Sequence, residues 1–181
     1  MNVGFSLYSC RSSPEESSRH LLRRAAAHFA GDFALPLDVE ETATGKPYFP
    51  RYPELCFSIT HSGEWWKCAI GAQAVGLDLQ IHECGDRAAV ARRFFHGEEL
   101  AFLEARSFEG FFSVWAAKES YLKYTGEGLS AELCDFSVVR DGALAATLNE
   151  AVLLHMEFDP GYSLCLCAEC PGRVRFVYDW K

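Results

Sequence analysis

From residue 56 onward the apolar pattern of this chain changes period twice, and that order restricts the fold more than any overall figure does. Three short alternating runs come first, at Cys56–Thr60, Trp66–Ala72 and Val75–Ile81, the last two close enough for a hairpin through Gln73-Ala74. From Asp86 to Thr125 the apolar spacing becomes three and four, as in helices, with an interruption near His96-Gly97. Alternation then returns at Asp135–Arg140, Ala143–Leu148, Ala151–Phe158, Tyr162–Cys167 and Arg173–Tyr178, with Asp141-Gly142 as a hairpin turn between the first two. Strand groups on either side of a helical middle predict an α+β protein.

The N-terminal part fits that scheme. Met1–Cys10 reads as a strand. Ser13-Pro14-Glu15-Glu16 reads as a helix start, with Ser13 as N-cap, Pro14 in the first turn and Glu16 closing a capping box. That helix should bury Leu22, Ala25, Ala26 and Phe29 and stop at Gly31. Thr42–Pro53 is rich in Gly and Pro and reads as loop. No linker, low-complexity stretch or internal repeat interrupts the 181 residues.

Composition narrows the class. The net charge of −8 argues against a general nucleic-acid or anionic-membrane binder, whose domain is normally basic. No apolar run approaches the roughly 20 residues needed to cross a bilayer, and Met1–Cys10 lacks a basic start followed by a long apolar stretch. A cytoplasmic monomer is the expectation. The eight cysteines then read as reduced thiols packed as small hydrophobes. Cys165, Cys167 and Cys170 form a close-spaced group, but no second pair completes a zinc site.

One residue of the helical middle stands out. Phe112, Trp115, Glu119 and Leu122 share a helix face, and three of the four are large and apolar. An ionised carboxylate on such a stripe is costly unless something compensates it. Glu119 and Lys123 are spaced for an i,i+4 ion pair, which explains Lys123 better than it explains Glu119. In the strand Val75–Ile81, Asp78 and Gln80 project together, roughly 7 Å apart along the chain. The bland reading of that face is solvation. The sharper one is a hard-oxygen site formed by Asp78 and Glu119, of the kind magnesium takes when substrate phosphate and water complete its shell. FSITHSGEW adds Thr60, His61, Ser62 and turn amides at a strand end, and GKPYFP adds Lys46 in a rigid turn. Two carboxylates for a metal, with Lys46, His61 and Lys123 for anions, suit a magnesium-bound diphosphate.

The blocks GKPYFP, FSITHSG, VGLDLQ, FFHGEEL and WAAKESYLKYTGEGL, in that order across residues 45–130, resemble the 4′-phosphopantetheinyl transferase superfamily, and its Sfp-type branch in particular. The resemblance implies two similar α+β halves about a pseudo-two-fold axis, here 1–84 and 85–181, with coenzyme A in the cleft between them. It implies Mg2+ held by Asp78 and Glu119, with Gln80 as the third metal position. It places Lys46 and Thr60 near the nucleotide and its 3′-phosphate, and His61 and Lys123 on the pyrophosphate. Trp115 and Lys118 complete the helix motif, Trp115 as packing.

The implied reaction moves phosphopantetheine from CoA to a serine of an apo acyl, peptidyl or aryl carrier protein and releases 3′,5′-ADP. Glu119, Asp78 and Lys123 are the catalytic candidates, with Glu98, Glu99 or a metal-bound water as alternative bases. Arg92 and Arg93 are candidates for docking the carrier. Three departures mark this chain. Gln80 stands where Glu is frequent and Ser58 where Asn is common. The N-terminal part is short, leaving Arg19, Arg23 or Arg24 for basic contacts there. A non-catalytic CoA-binding relative and an unrelated magnesium-dependent phosphohydrolase are the competing readings.

Overall fold

The computed structural model describes residues 4–32, 34, 36–128 and 133–180; Met1–Val3 of the first strand and Leu129 of the WAAKESYLKYTGEGL block lie outside them. In chain order the elements are β1 (Phe5–Arg11), α1 (Ser18–Ala30), β2 (Glu40–Glu41), β3 (Pro47–Tyr48), β4 (Cys56–Ser62), β5 (Trp65–Gly71), β6 (Gly76–Ile81), α2 (Arg87–Phe94), α3 (Gly97–Glu104) and α4 (Phe111–Thr125). Then follow β7 (Val139–Arg140), β8 (Ala143–Leu144), β9 (Thr147–Leu148), β10 (Ala151–Met156), β11 (Tyr162–Ala168) and β12 (Val174–Val177). The mixture is α+β, as the change of period requires.

Two four-stranded sheets carry the molecule, ordered β12-β1-β5-β4 and β6-β11-β10-β9. Helix α1 buries Leu21, Leu22, Ala25, Ala26 and Ala27 against the first sheet, in a core with Tyr8, Trp66 and Trp180. Helix α4 packs on the second sheet. A third apolar cluster joins the sheets, with Phe5, Leu7 and Ala69 from the first against Leu77, Leu79, Leu164 and Leu166 from the second.

Three expectations are corrected. Helix α1 is capped by Ser17, whose Oγ accepts from His20 N at 3.2 Å. The Ser13–Glu16 stretch is a turn before it, closed by Glu16 N donating to the Ser13 carbonyl at 3.1 Å, and the Glu16 carboxylate pairs with Arg24 at 3.3 Å. β5 and β6 form no hairpin: β6 pairs with β11, and on its other edge the hydroxyls of Ser58, Thr60 and Ser62 accept the amides of Leu77, Leu79 and Ile81 at 2.9, 3.0 and 2.9 Å. The run Ala143–Leu148 is divided into β8 and β9, which serve different sheets. A boundary at 84/85 does not separate the sheets, since β6 lies in the second and the C-terminal β12 pairs parallel with β1 in the first. Gly31, as expected, ends α1 in the left-handed conformation at φ 70°.

Lys67 is an unusual member of the interior. It is fully buried on β5, its Nζ donating to Ser9 Oγ at 2.7 Å and lying 3.5 Å from the Phe158 ring centroid across the sheet interface. Burial pushes its pKa down from 10.5 to about 8. The folded state therefore holds this proton less tightly than the unfolded chain, and this group's contribution to stability rises with pH between those two values. The difference in unfolding free energy between wild type and Lys67→Met should grow by about 2–3 kcal/mol over that window in denaturant titrations. A difference that stays flat with pH would contradict the assignment.

Candidate functional site

The site forms where α4 crosses the β6 edge. The crossing is close because residue 76 is glycine: a Cβ there would collide with the Ser120 carbonyl and crowd Tyr124 N. One turn beyond Ser120, Lys123 reaches back to β6. Its Nζ donates to Asp78 Oδ1 at 2.6 Å and to the Leu77 carbonyl at 3.1 Å. Asp78 is 6% exposed and also receives the Thr60 hydroxyl at 3.2 Å. The structure thus gives Lys123 to Asp78 rather than to Glu119, setting aside the i,i+4 pair.

The Glu119 side chain makes no hydrogen bond among the described residues and lines a cavity of about 280 Å³ with Lys46, Ser58, Leu122 and Lys123. Burial first, and then the Asp78 carboxylate, raise its pKa above the usual range, while Lys123 opposes them. Asp78 is raised by burial too, against the pull of Lys123. Lys123 is bonded to Asp78 and not to Glu119, so the Glu119 carboxylate retains a demand for positive charge.

The GKPYFP turn closes the other side. Lys46 Nζ donates to the Tyr124 carbonyl at 2.9 Å, near the C-terminus of α4, and burial lowers its pKa. Gly126 caps that helix at φ 76°, a left-handed conformation that favours glycine, and a Cβ there would sit 3.0 Å from Lys46 Cδ.

Asp78, Glu119, Lys123 and Lys46 are therefore brought together. The other expected residues are not all placed alike. Thr60 is 5% exposed, its hydroxyl held by Asp78 and Leu79 N, so it positions the carboxylate. His61 is exposed beside it and does not line the cavity. Gln80 is half-buried on the Asp78 face of β6, its Nε2 donating to the Ile81 carbonyl at 3.2 Å. Glu99 is excluded as a base. It is fully buried and takes Lys118 Nζ at 2.7 Å, Val138 N at 2.8 Å and His96 N at 3.0 Å. Glu98 is exposed beside His96.

That buried Lys118–Glu99 pair is the main element that sequence reasoning missed; the only signal was two acidic residues opening α3 after His96, which caps it. Arg92 pairs with Glu104 at 3.3 Å, and the Arg93 guanidinium lies over the exposed Phe94 ring. Arg23 and Arg24 are engaged with Asp38 and Glu16.

The donor set suits a hard cation in type: two carboxylates and one amide. No group of three or more His, Cys, Asp or Glu side chains among the described residues is placed to hold a metal. The protein side is thus a partial shell, which fits an ion whose remaining ligands come from phosphate and water.

Sequence comparisons bear on this geometry. A family profile described as the 4′-phosphopantetheinyl transferase superfamily matches residues 74–167, which contain Asp78, Gln80, Glu119 and Lys123. A 4′-phosphopantetheinyl transferase of Bacillus subtilis is 33% identical over 161 residues, covering 83% of this chain and 71% of the relative. The 4′-phosphopantetheinyl transferase Sfp of Bacillus subtilis strain 168 is 35% identical over 137 residues, covering 70% of this chain and 61% of the relative. The human L-aminoadipate-semialdehyde dehydrogenase-phosphopantetheinyl transferase is 31% identical over 113 residues, covering 52% and 36%. This chain belongs to the 4′-phosphopantetheinyl transferase superfamily, and its relatives place it with the Sfp-type members. It spans 61% to 71% of the length of the first two relatives.

Proposed function

We propose that the protein transfers the 4′-phosphopantetheine group of coenzyme A to a serine of an apo carrier protein, with magnesium, in the cytoplasm and as a monomer. The observation that carries this reading is the convergence of Asp78, bonded to Lys123, and Glu119, to which no lysine is bonded, beside a cavity that also presents Lys46 and Lys123. A magnesium diphosphate answers the demand of Glu119 in both charge and ligand type.

The carrier serine Oγ attacks the phosphorus that bears pantetheine. A new P–O bond forms as the bond to the bridging oxygen breaks, and 3′,5′-ADP leaves with that oxygen. Glu119, whose side chain faces the cavity, takes the hydroxyl proton on the carboxylate oxygen that a bound cation would leave free. Lys123 holds Asp78 in place and presents positive charge to the diphosphate, while Lys46, which lines the same cavity, would meet the nucleotide. Bound magnesium would supply charge neutralisation on the phosphate oxygens, held by Asp78 and Glu119 with Gln80 beside them.

Release of 3′,5′-ADP that requires the apo carrier tests the proposal. Release of inorganic phosphate instead would favour the hydrolase, and CoA binding without turnover the inactive relative to which Gln80 points.

Gln80 also gives a metal prediction. Its uncharged amide binds a hard cation less well than a carboxylate does, so most of the ion's affinity comes from the CoA diphosphate. Calorimetric titration should show magnesium binding at least about tenfold tighter with CoA present, a coupling in the range of linked sites. Gln80→Glu should tighten binding in the CoA-free protein. Equal magnesium affinity with and without CoA would contradict shared ligation.

A further inference from the structure

We infer that Ser58 is a phosphate-binding donor of this site, its O–H directed into the cavity while its lone pair ties the two sheets together. The inference rests on the CoA reading above.

Ser58, Thr60 and Ser62 alternate along β4, and each Oγ accepts one β6 amide, from Leu77, Leu79 and Ile81 in turn. The pairing is side chain to backbone, so each hydroxyl keeps a proton to donate elsewhere. For Thr60 the destination is Asp78 Oδ1 at 3.2 Å. Ser58 is 6% exposed, and no acceptor is described for its proton. The open space it borders is the 280 Å³ cavity shared with Lys46, Glu119 and Lys123. A buried O–H beside two lysines is suited to a phosphate oxygen, since hydrogen bonds to charged acceptors are the stronger ones. Ser58 also acts on the site through the backbone: it fixes the Leu77 amide, and the Leu77 carbonyl receives Lys123, the residue that holds Asp78. Ser62 makes the same kind of seam bond without bordering the cavity.

That contrast supplies the control. CoA binding to the full chain with magnesium should weaken roughly ten- to hundredfold in Ser58→Ala, the range for loss of a hydrogen bond to a charged group. Ser58→Thr, which keeps a hydroxyl, should recover most of the affinity, and Ser62→Ala should leave it within about threefold of wild type. Repeating the titrations with 3′,5′-ADP identifies the phosphate. An equal loss assigns the contact to the nucleotide side, and a loss for CoA alone assigns it to the pantetheine-bearing phosphate. Unchanged CoA affinity in Ser58→Ala, or the same loss in Ser62→Ala, would overturn the inference. Wild-type protein that binds no CoA would instead overturn the functional reading beneath it.

Discussion

Glu119→Ala should lower phosphopantetheine transfer by roughly 10²–10³-fold or more, the scale on which single electrostatic and proton-transfer groups act. It should do so without unfolding the protein. The Glu119 side chain makes no hydrogen bond among the described residues, and burial and Asp78 both make its charge unfavourable. A carboxyl raised in the folded state holds its proton more tightly there than in the unfolded chain, so its contribution to stability is lost as pH rises through the folded value. At neutral pH the metal-free Glu119→Gln variant should therefore melt no lower than wild type, and any gain should vanish in acid. Asp78→Ala should be as inactive but less clean, because it also strips Lys123 and Thr60 of their acceptor. Activity within about threefold of wild type in Glu119→Ala would remove the residue from the mechanism.

Glu99→Gln should have the largest effect on stability, costing about 3–5 kcal/mol, as expected when one member of a buried ion pair is neutralised. The Lys118 and Glu99 side chains are 1% and 0% exposed, and the same lysine donates to the Phe136 carbonyl at 2.6 Å. Lys118→Met should cost a similar amount, and the double variant less than the sum, because neither charge is then left unpaired. Denaturant midpoints at constant slope measure this. A loss below about 1 kcal/mol in both single variants would mean that the pair is dispensable. The pair anchors α4 one residue before Glu119, so residual activity reports separately on how well the helix is held.

The sequence made the α+β class, the α4 helix and its misplaced carboxylate legible, because periodicity states which residues share a face. Asp78 was less legible: its neighbours along the strand face are Gly76 and Gln80, a pattern that also suits a solvated face, and only the order of the sequence blocks pointed to it as a partner of Glu119. Periodicity does not say which edge a strand pairs with. The β5–β6 hairpin looked natural from two adjacent runs, yet β6 found its backbone partner in β11, and three β4 hydroxyls took its other edge. The same seam explains why Thr60 was read as a phosphate contact: a hydroxyl at a strand end looks alike whether it meets a ligand or a buried aspartate. Lys118 and Glu99 are 19 positions apart on different helices, a separation no local pattern encodes.

The most direct test is the intact mass of an apo carrier protein after incubation with this protein, CoA and magnesium, run beside Glu119→Gln. The account predicts a gain of one phosphopantetheine on the carrier, located on a single serine, with equimolar 3′,5′-ADP and only trace gain in the variant. A carrier of unchanged mass in the presence of wild-type protein shown to be folded and to bind CoA, or equal gain with Glu119→Gln, would contradict it.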